Sequence, residues 1–183
     1  MHNTFGVGSS FSTSYWELDD WFATAYAVLF VPSESFVLQQ VDVAVSRIAG
    51  STTIDAAIMQ ATHDEPDVTI VAWSIMMGND PSVVPSSLAS HPTLNAGEEY
   101  WLVLSVENYS GTRAAWYHND QSLVGSVLYY NSVQHFWVPA GFAGAPVSLP
   151  AYRIFAAGGN EIPEPATLGL MALGLGALAC VRR

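Results

Sequence analysis

Apolar side chains alternate with polar ones along much of this chain, and this period of two constrains the fold more than any other feature. In VLQQVDVAVSRI, residues 37–48, four valines fall on one face while Asp42 and Ser46 fall on the other. In EYWLVLSVEN, residues 99–108, both faces are largely apolar. That second pattern is typical of a central strand covered on both sides. Both stretches are therefore predicted to be β-strands.

Further segments show strand character and are separated by turns rich in Gly, Pro, Asn and Asp, the longest being GNDPSVVPSS at 78–87. The additional predicted strands are 24–31, 54–61, 68–76, 112–118, 124–130, 134–138 and 151–157. About nine short strands without a long amphipathic helix predict an all-β fold, an antiparallel β-sandwich of jelly-roll type over residues 1–158. For IDAAIMQATHD, residues 54–64, one or two helical turns remain an alternative because Ala and Met favour helix.

Charge and cysteine content exclude several classes of function. The chain has 16 acidic residues, five arginines and no lysine, which gives a net charge of −11 and disfavours nucleic acid as a partner. Its single cysteine, Cys180, lies in the C-terminal apolar run, so the body can form neither an internal disulfide nor a thiolate metal site. The five histidines are scattered without metal-site spacing.

Acidic residues offer weak candidates for chemistry. Glu98 and Glu99 are adjacent on a strand, so they point to opposite faces and cannot flank one glycosidic bond. WELDD at 16–20 and HDEPD at 63–67 could supply oxygen ligands to a structural Ca²⁺ ion, or could be solvated acidic turns. No nucleophile elbow, phosphate loop or dinucleotide motif occurs. We therefore expect a non-enzymatic protein without a cofactor, apart from that Ca²⁺ alternative.

Aromatic residues are the best candidates for ligand binding. Trp116, Tyr117 and Trp137 could stack on sugar rings, with polar side chains at 119–121 supplying hydrogen bonds. Trp116 and Tyr117 are neighbours on a predicted strand, so one of them is expected to face outward. The alternative is that these rings fill the core.

The motifs of the body resemble those of the bacterial extracellular domains called choice-of-anchor domains. The similarity lies in AYAVLFVPSESFVLQQVDVAV, IDAAIMQATHDEPD, LNAGEEYWLVLSV and AAWYHND, which together cover most of 15–157. Its most specific part is the Leu94–Gly97 turn followed by Tyr100, Trp101 and Leu102. The family often has a Pro-Gly turn where this chain has Glu65-Pro66-Asp67. The resemblance implies an extracellular β-sandwich and does not imply a particular chemistry.

The end of the chain, residues 159–183, is a linker, an apolar run and a basic terminus. The 16 residues Ala166–Val181 would span about 24 Å as a helix, slightly less than a hydrocarbon core of about 30 Å. Arg182 and Arg183 can hold the C-terminus on the cytoplasmic side of the inner membrane. A transmembrane helix is predicted, although an ordinary anchor or a buried core helix would share part of this pattern.

This end resembles the PEP-CTERM sorting signal through Pro163-Glu164-Pro165, the apolar run and the terminal arginines. The resemblance implies that an exosortase-type enzyme recognises the tripeptide and removes the tail after transient anchoring in the inner membrane. An exported protein needs a leader with a basic region and an apolar run, and MHNTFGVGSSFSTSYWELDD offers neither, so we expect an in-frame leader of roughly 20–30 residues upstream of Met1.

The sequence thus predicts a non-enzymatic surface or exopolysaccharide-matrix protein of the cell envelope or extracellular space. A carbohydrate-binding module is the alternative, with extracellular polysaccharide as its partner. Exposed aromatic rings on one face would favour the alternative, and burial of those rings would favour the first function.

Overall fold

β-Strands form most of the described part of the chain, which in this computed structural model comprises residues 3–107, 110–141 and 145–157. These residues also contain one 3-10 turn, Val7–Ser9. The strands are β1 (Tyr15–Asp19), β2 (Ala23–Phe30), β3 (Phe36–Ala49), β4 (Thr53–Thr62), β5 (Glu65–Met76), β6 (Ser82–Ser87), β7 (Thr93–Leu94), β8 (Tyr100–Ser105), β9 (Arg113–Tyr117), β10 (Val124–Gly125), β11 (Val127–Asn131), β12 (Phe136–Pro139), β13 (Val147–Ser148) and β14 (Tyr152–Ala156).

The strands form two antiparallel six-stranded sheets and a short ribbon of β10 and β13. Sheet I has the order β1-β9-β3-β14, and β6 and β7 also pair with β3. Sheet II has the order β12-β11-β2-β8-β4-β5. The long strand β3 organises sheet I. Residues 41–43 pair with both β14 and β6, so those two strands lie on opposite edges of β3.

The hydrophobic core lies between the two sheets, where alternate side chains of both sheets meet. Its fully or nearly fully buried members include Leu18, Val41, Val43, Val45, Trp116 and Ile154 of sheet I, and Val28, Phe30, Ile58, Leu102 and Leu104 of sheet II. Burying each large apolar side chain contributes about 1.5–3 kcal/mol relative to leaving it exposed. The prediction of an all-β antiparallel sandwich is confirmed.

The outer face of sheet I is covered by the segment that precedes β1. Phe5 and Phe11 of this segment pack against Ala115 and Tyr117 of β9. Thr4 fixes the segment to β14, because its N–H donates to the Tyr152 carbonyl at 2.9 Å and its hydroxyl oxygen accepts from the Tyr152 N–H at 2.7 Å. This cover explains why polar and small residues on the outward side of sheet I are buried.

A charged pair lies beneath that cover. Asp42 of β3 faces Arg153 of β14 in the strand register, and Arg153 Nη2 donates to Asp42 Oδ2 at 2.7 Å. The Arg153 guanidinium also lies over the rings of Phe5 and Phe155, 5.6 and 4.8 Å from their centroids. The pair is therefore shielded from solvent on several sides.

The outer face of sheet II carries a separate apolar cluster, whose described members come from sheet II itself. The register places Leu29, Trp101 and Met59 in one row across three strands. Leu128, Ala27, Val103 and Ala57 form the adjacent row.

Most predicted strands are present, and 54–61 belongs to strand β4, so the helical alternative for that stretch is wrong. The prediction of a long turn at 78–87 is also wrong, because Ser82–Ser87 form strand β6. Pro85 is compatible with a strand that pairs along one side only. The jelly-roll assignment and the domain boundary at 158 stay predictions.

The apolar C-terminal helix and basic end, predicted at 159–183, lie outside the described residues. Within the described residues, no helix has the length and apolar character needed to cross a membrane.

Candidate functional site

Trp116 does not belong to a surface site. Its side chain is fully buried between the sheets, and its indole N–H donates to the Ala151 carbonyl at 3.3 Å. Trp116 therefore contributes to the core, as the alternative interpretation of the aromatic residues predicts.

Tyr117 points to the opposite face of sheet I, but this face is not open to solvent. The ring of Phe11 lies 5.4 Å from the Tyr117 ring, and the Tyr117 hydroxyl forms a 2.9 Å hydrogen bond with Ser46 Oγ. Tyr117 therefore faces outward from sheet I as expected, but it is not an exposed ring, since the segment before β1 covers it.

The polar side chains at 119–121 are used within the protein. Asn119 Nδ2 donates to the carbonyls of Leu123 and Leu149, while its Oδ1 accepts from the backbone N–H groups of Gln121 and Leu123. Asp120 accepts from Gln121 Nε2 at 2.9 Å, and hydrogen bonds from Ser10 and Gln121 lower the pKa of Asp120. These residues fix a loop and do not point together at a ligand.

Trp137 lies in a different place, on the outer face of sheet II. Its ring meets Tyr130 edge to face, with centroids 5.4 Å apart. It borders a cleft of about 470 Å³, the face cleft, whose lining also includes Leu29, Trp101 and Leu128. Trp101 is only 2% exposed, and its indole N–H has no hydrogen-bond partner among the described residues.

The polar rim of the face cleft comes from the β4–β5 turn and from the residue before β8. It consists of His63, Asp64, Glu65 and Glu99. His63 and Asp64 form the turn with positive φ angles of 54° and 64°, a conformation that non-glycine residues adopt at some cost. The face cleft thus combines apolar walls with oxygen acceptors at its rim.

The calcium alternatives are not supported by a ready ligand cluster. Among the described residues, no group of three or more His, Cys, Asp or Glu side chains is placed to hold a metal ion. In HDEPD, only His63 and Asp64 form the turn, while residues 65–67 belong to β5. In WELDD, Asp19 Oδ1 instead accepts the backbone N–H groups of Trp21 and Phe22 at 2.9 and 2.6 Å. A structural Ca²⁺ ion at either stretch stays a prediction.

A second cleft, the seam cleft, follows the line where β1 of sheet I meets β2 and β11 of sheet II. Its volume is about 480 Å³. It is lined by Trp16, Glu17, Asp19, Phe22, Ala23, Tyr26, Tyr129 and Ala140. Four aromatic rings and two carboxylates are therefore brought together by the neighbouring strands β1 and β2, with the turn between them, and by the distant strand β11.

The rings of the seam cleft form a continuous wall. The centroid distances are 5.3 Å from Trp16 to Tyr26, 6.2 Å from Tyr26 to Tyr129 and 5.7 Å from Tyr129 to Phe22. Burial raises the pKa of Tyr26 to about 12, and the negative charges of Asp19 and Glu17 contribute to this shift. Burial lowers the pKa of His118, whose ring lies 5.1 Å from that of Trp16. The wall is thus uncharged at neutral pH and lies in a negative field.

Sequence reasoning identified Trp137 but missed the residues of the seam cleft. The available signal was YWELDDWF at 15–22, where two pairs of aromatic residues flank three acidic residues. The pattern was interpreted only through the acidic residues of WELDD, as possible oxygen ligands for Ca²⁺.

Comparison with family models shows a PEP-CTERM protein-sorting motif at residues 161–183. This motif is a C-terminal signal that directs a protein to the cell envelope through an exosortase-type sorting system. The match contains the predicted signal residues Pro163, Glu164, Pro165, Arg182 and Arg183. Comparison with curated proteins gave no match.

Proposed function

We propose that this chain is a non-enzymatic surface or exopolysaccharide-matrix protein whose β-sandwich is delivered by its C-terminal sorting signal. The observation that carries the proposal is the order of the two parts: the last strand, Tyr152–Ala156, is followed within a few residues by the sorting motif at 161–183. The sandwich is then the cargo, and the tail is its transient inner-membrane anchor. We further propose that the sandwich is of the choice-of-anchor type with jelly-roll topology.

The test concerns Glu164, the only charge between the two rigid prolines of the motif. In a host that carries the sorting enzyme, Glu164→Gln should accumulate as an uncleaved, membrane-bound form, because the substitution removes the charge with little change in shape. Leu173→Ile is the matched control, since it preserves the apolar character of the run and should be processed normally. Mass spectrometry of the mature C-terminus measures the result.

Equal processing of both variants would show that Glu164 is not the recognised group. An uncleaved tail in the unaltered protein would show that the tail is a plain anchor.

Carbohydrate binding is the second candidate function, and the placement of Trp137 favours it. Trp137 is partly exposed at a cleft whose rim carries Asp64, Glu65 and Glu99, and such carboxylates can accept hydrogen bonds from sugar hydroxyls. A glycan array probed with the full chain should show binding that Trp137→Ala weakens. Phe136→Ala, the exposed neighbour that points to the other side of β12, should leave binding unchanged. Equal effects of the two substitutions would exclude the face cleft.

A further inference from the structure

The seam cleft has the features of a binding site, and the sorting signal at 161–183 does not explain its presence. Its wall of four rings remains partly open to solvent, since Phe22 is 45% exposed and Trp16 and Tyr129 are half-buried. Aromatic faces carry negative charge density, so they attract cations and pack against the C–H faces of sugar rings. The cleft can therefore hold a flat, partly apolar ligand against its wall.

Polar groups in the seam cleft have unused hydrogen-bonding capacity. Tyr26 is only 8% exposed, yet its hydroxyl forms no hydrogen bond with another described residue. Asp19 uses Oδ1 to accept two backbone N–H groups, and Glu17 uses Oε1 to accept from Arg113 Nε at 2.6 Å. Their second carboxylate oxygens, Asp19 Oδ2 and Glu17 Oε2, have no partner among the described residues. One hydroxyl and two carboxylate oxygens are thus left to meet a ligand.

The charges of the seam cleft and of the whole chain determine which class of ligand can bind. The lining of the seam cleft contains two carboxylates and no basic side chain. Arg113, the basic residue beside it, is already paired with Glu17. The chain carries a net charge of −11, so an anionic polysaccharide would be repelled both by the cleft and by the whole molecule. A cationic group would instead be attracted by the carboxylates and by the ring faces.

We propose that the seam cleft binds an amino sugar with a free ammonium group, within a cationic glycan. The sugar ring packs on the wall formed by Phe22 and Tyr129, and its ammonium group donates to Glu17 Oε2 and Asp19 Oδ2. The Tyr26 hydroxyl bonds to a sugar oxygen. This inference rests on the proposed function only in taking extracellular glycans as the setting of the protein.

The position of the cleft fits binding by a tethered molecule. Phe22 lies where β2 begins, whereas Phe30 ends this strand beside Tyr100 at the other end of the sandwich. Ala157, the last described residue, donates its N–H to the Val37 carbonyl near the start of β3. Val37 follows Phe36, which pairs with Leu94. Asn95, the residue after Leu94, donates its N–H to the hydroxyl of Tyr100, the partner of Phe30. Ala157 therefore lies at the Phe30 end of the sandwich. The described chain therefore leaves the sandwich at the end away from Phe22.

The experiment compares a glucosamine tetramer, its fully N-acetylated counterpart and a uronic-acid tetramer. Binding to the full chain is measured by calorimetry in a polyoxyethylene detergent, because detergents with sugar headgroups would compete. The free amine should bind at least about tenfold more tightly than the acetylated tetramer, and the uronate should not bind. Raising the ionic strength from about 0.01 to about 0.15 M should weaken binding of the amine, since exposed charges are then screened.

Variants locate the site. Glu17→Gln and Tyr26→Phe should each weaken binding of the free amine several-fold, and Phe22→Ala should weaken it about tenfold. Glu34→Gln and Met76→Ala, at exposed positions outside the seam cleft, are the matched controls and should bind normally. A melting curve for each variant distinguishes loss of binding from loss of folding. Tyr26→Phe is the mildest of the three substitutions, because it removes a single oxygen without disturbing the Glu17–Arg113 pair.

Equal affinity for free and acetylated tetramers would overturn recognition of the ammonium group. Absence of binding to the free amine would overturn the proposal as a whole, and equal losses in the control variants would overturn the location. None of these results bears on the sorting function, because tail processing is measured separately in the host.

Discussion

The buried ion pair beneath the N-terminal segment allows a quantitative prediction. Asp42 is 3% exposed, and its partner Arg153 has a side-chain exposure of 18%. Replacing Arg153 by Met leaves the Asp42 carboxylate buried, with the Gln40 side-chain amide, 2.6 Å from its Oδ1, as its remaining donor from a side chain. Loss of one partner from a buried pair costs about 3–5 kcal/mol. For a domain of this size, the melting temperature should fall by roughly 6–20 °C.

The reciprocal substitution should cost less. Asp42→Leu leaves Arg153 without its carboxylate, but the guanidinium remains over the rings of Phe5 and Phe155 and is less deeply buried than Asp42. The double variant removes both charges, so its stability should return to within about 1–2 kcal/mol of the unaltered protein. The two single losses are therefore expected to be strongly non-additive.

Urea unfolding of the full chain, followed by tryptophan fluorescence, measures all four members of this cycle. The physical argument requires a large loss for Arg153→Met and a recovery in the double variant. A loss below about 1 kcal/mol for Arg153→Met, or additive losses in the double variant, would refute it by showing that solvent reaches the Asp42 carboxylate.

Three further predictions concern the backbone, alkaline pH and the tail. Gly50→Ala should destabilise the protein by more than about 2 kcal/mol in urea unfolding, because φ is +72° and the added Cβ would lie 2.6 Å from the Gly111 carbonyl carbon. Gly97→Ala is the control: φ is +76°, but no atom lies within 4 Å of the added Cβ, so the substitution should cost only about 1 kcal/mol. Tyr26 has a folded-state pKa of about 12, above its value of 10.0 in the unfolded chain, so its stabilising contribution is complete below pH 10.0 and is lost as the pH rises through about 12. Tyr26→Phe should therefore flatten the decline in stability across that range, and an unchanged decline would assign it to other tyrosines. Deleting 162–183 should leave the melting transition of the sandwich almost unchanged by calorimetry, whereas a loss of several kcal/mol would show that the tail belongs to the core.

The sequence could predict strands wherever alternation is long and regular. The segments 37–48 and 99–108 correspond to β3 and β8, because each has enough alternating residues to define a face. Strand β6 was missed, since Pro85 and the neighbouring serines carry the composition of a turn, and its pairing with β3 is a tertiary contact. Composition alone cannot distinguish a turn from a strand stabilised in this way.

Alternation also placed Trp116 and Tyr117 on opposite faces, but could not show what covers each face. Tyr117 is buried by Phe5 and Phe11, which precede it by more than a hundred residues. The seam cleft was missed for a related reason, because Tyr129 meets Tyr26 by pairing of two strands distant in sequence, and both rings meet Trp16 only when the two sheets pack. A site that joins β1 and β2 to the distant strand β11 has no single local pattern that spacing rules can detect.

The pairing of the chain's first described residues with its last strand also has a kinetic consequence. The Thr4 N–H donates to the Tyr152 carbonyl, and the Tyr152 N–H donates to the Thr4 hydroxyl oxygen, across a sequence separation of 148 residues. Contacts of such high order form late and slowly, because the intervening chain must be closed into a loop before they become favourable. For the export that we propose, we expect sheet I to be completed only after β14 has crossed the membrane. The sorting motif at 161–183 follows β14 within a few residues, so we expect it to reach the membrane only when all the described strands have been exported.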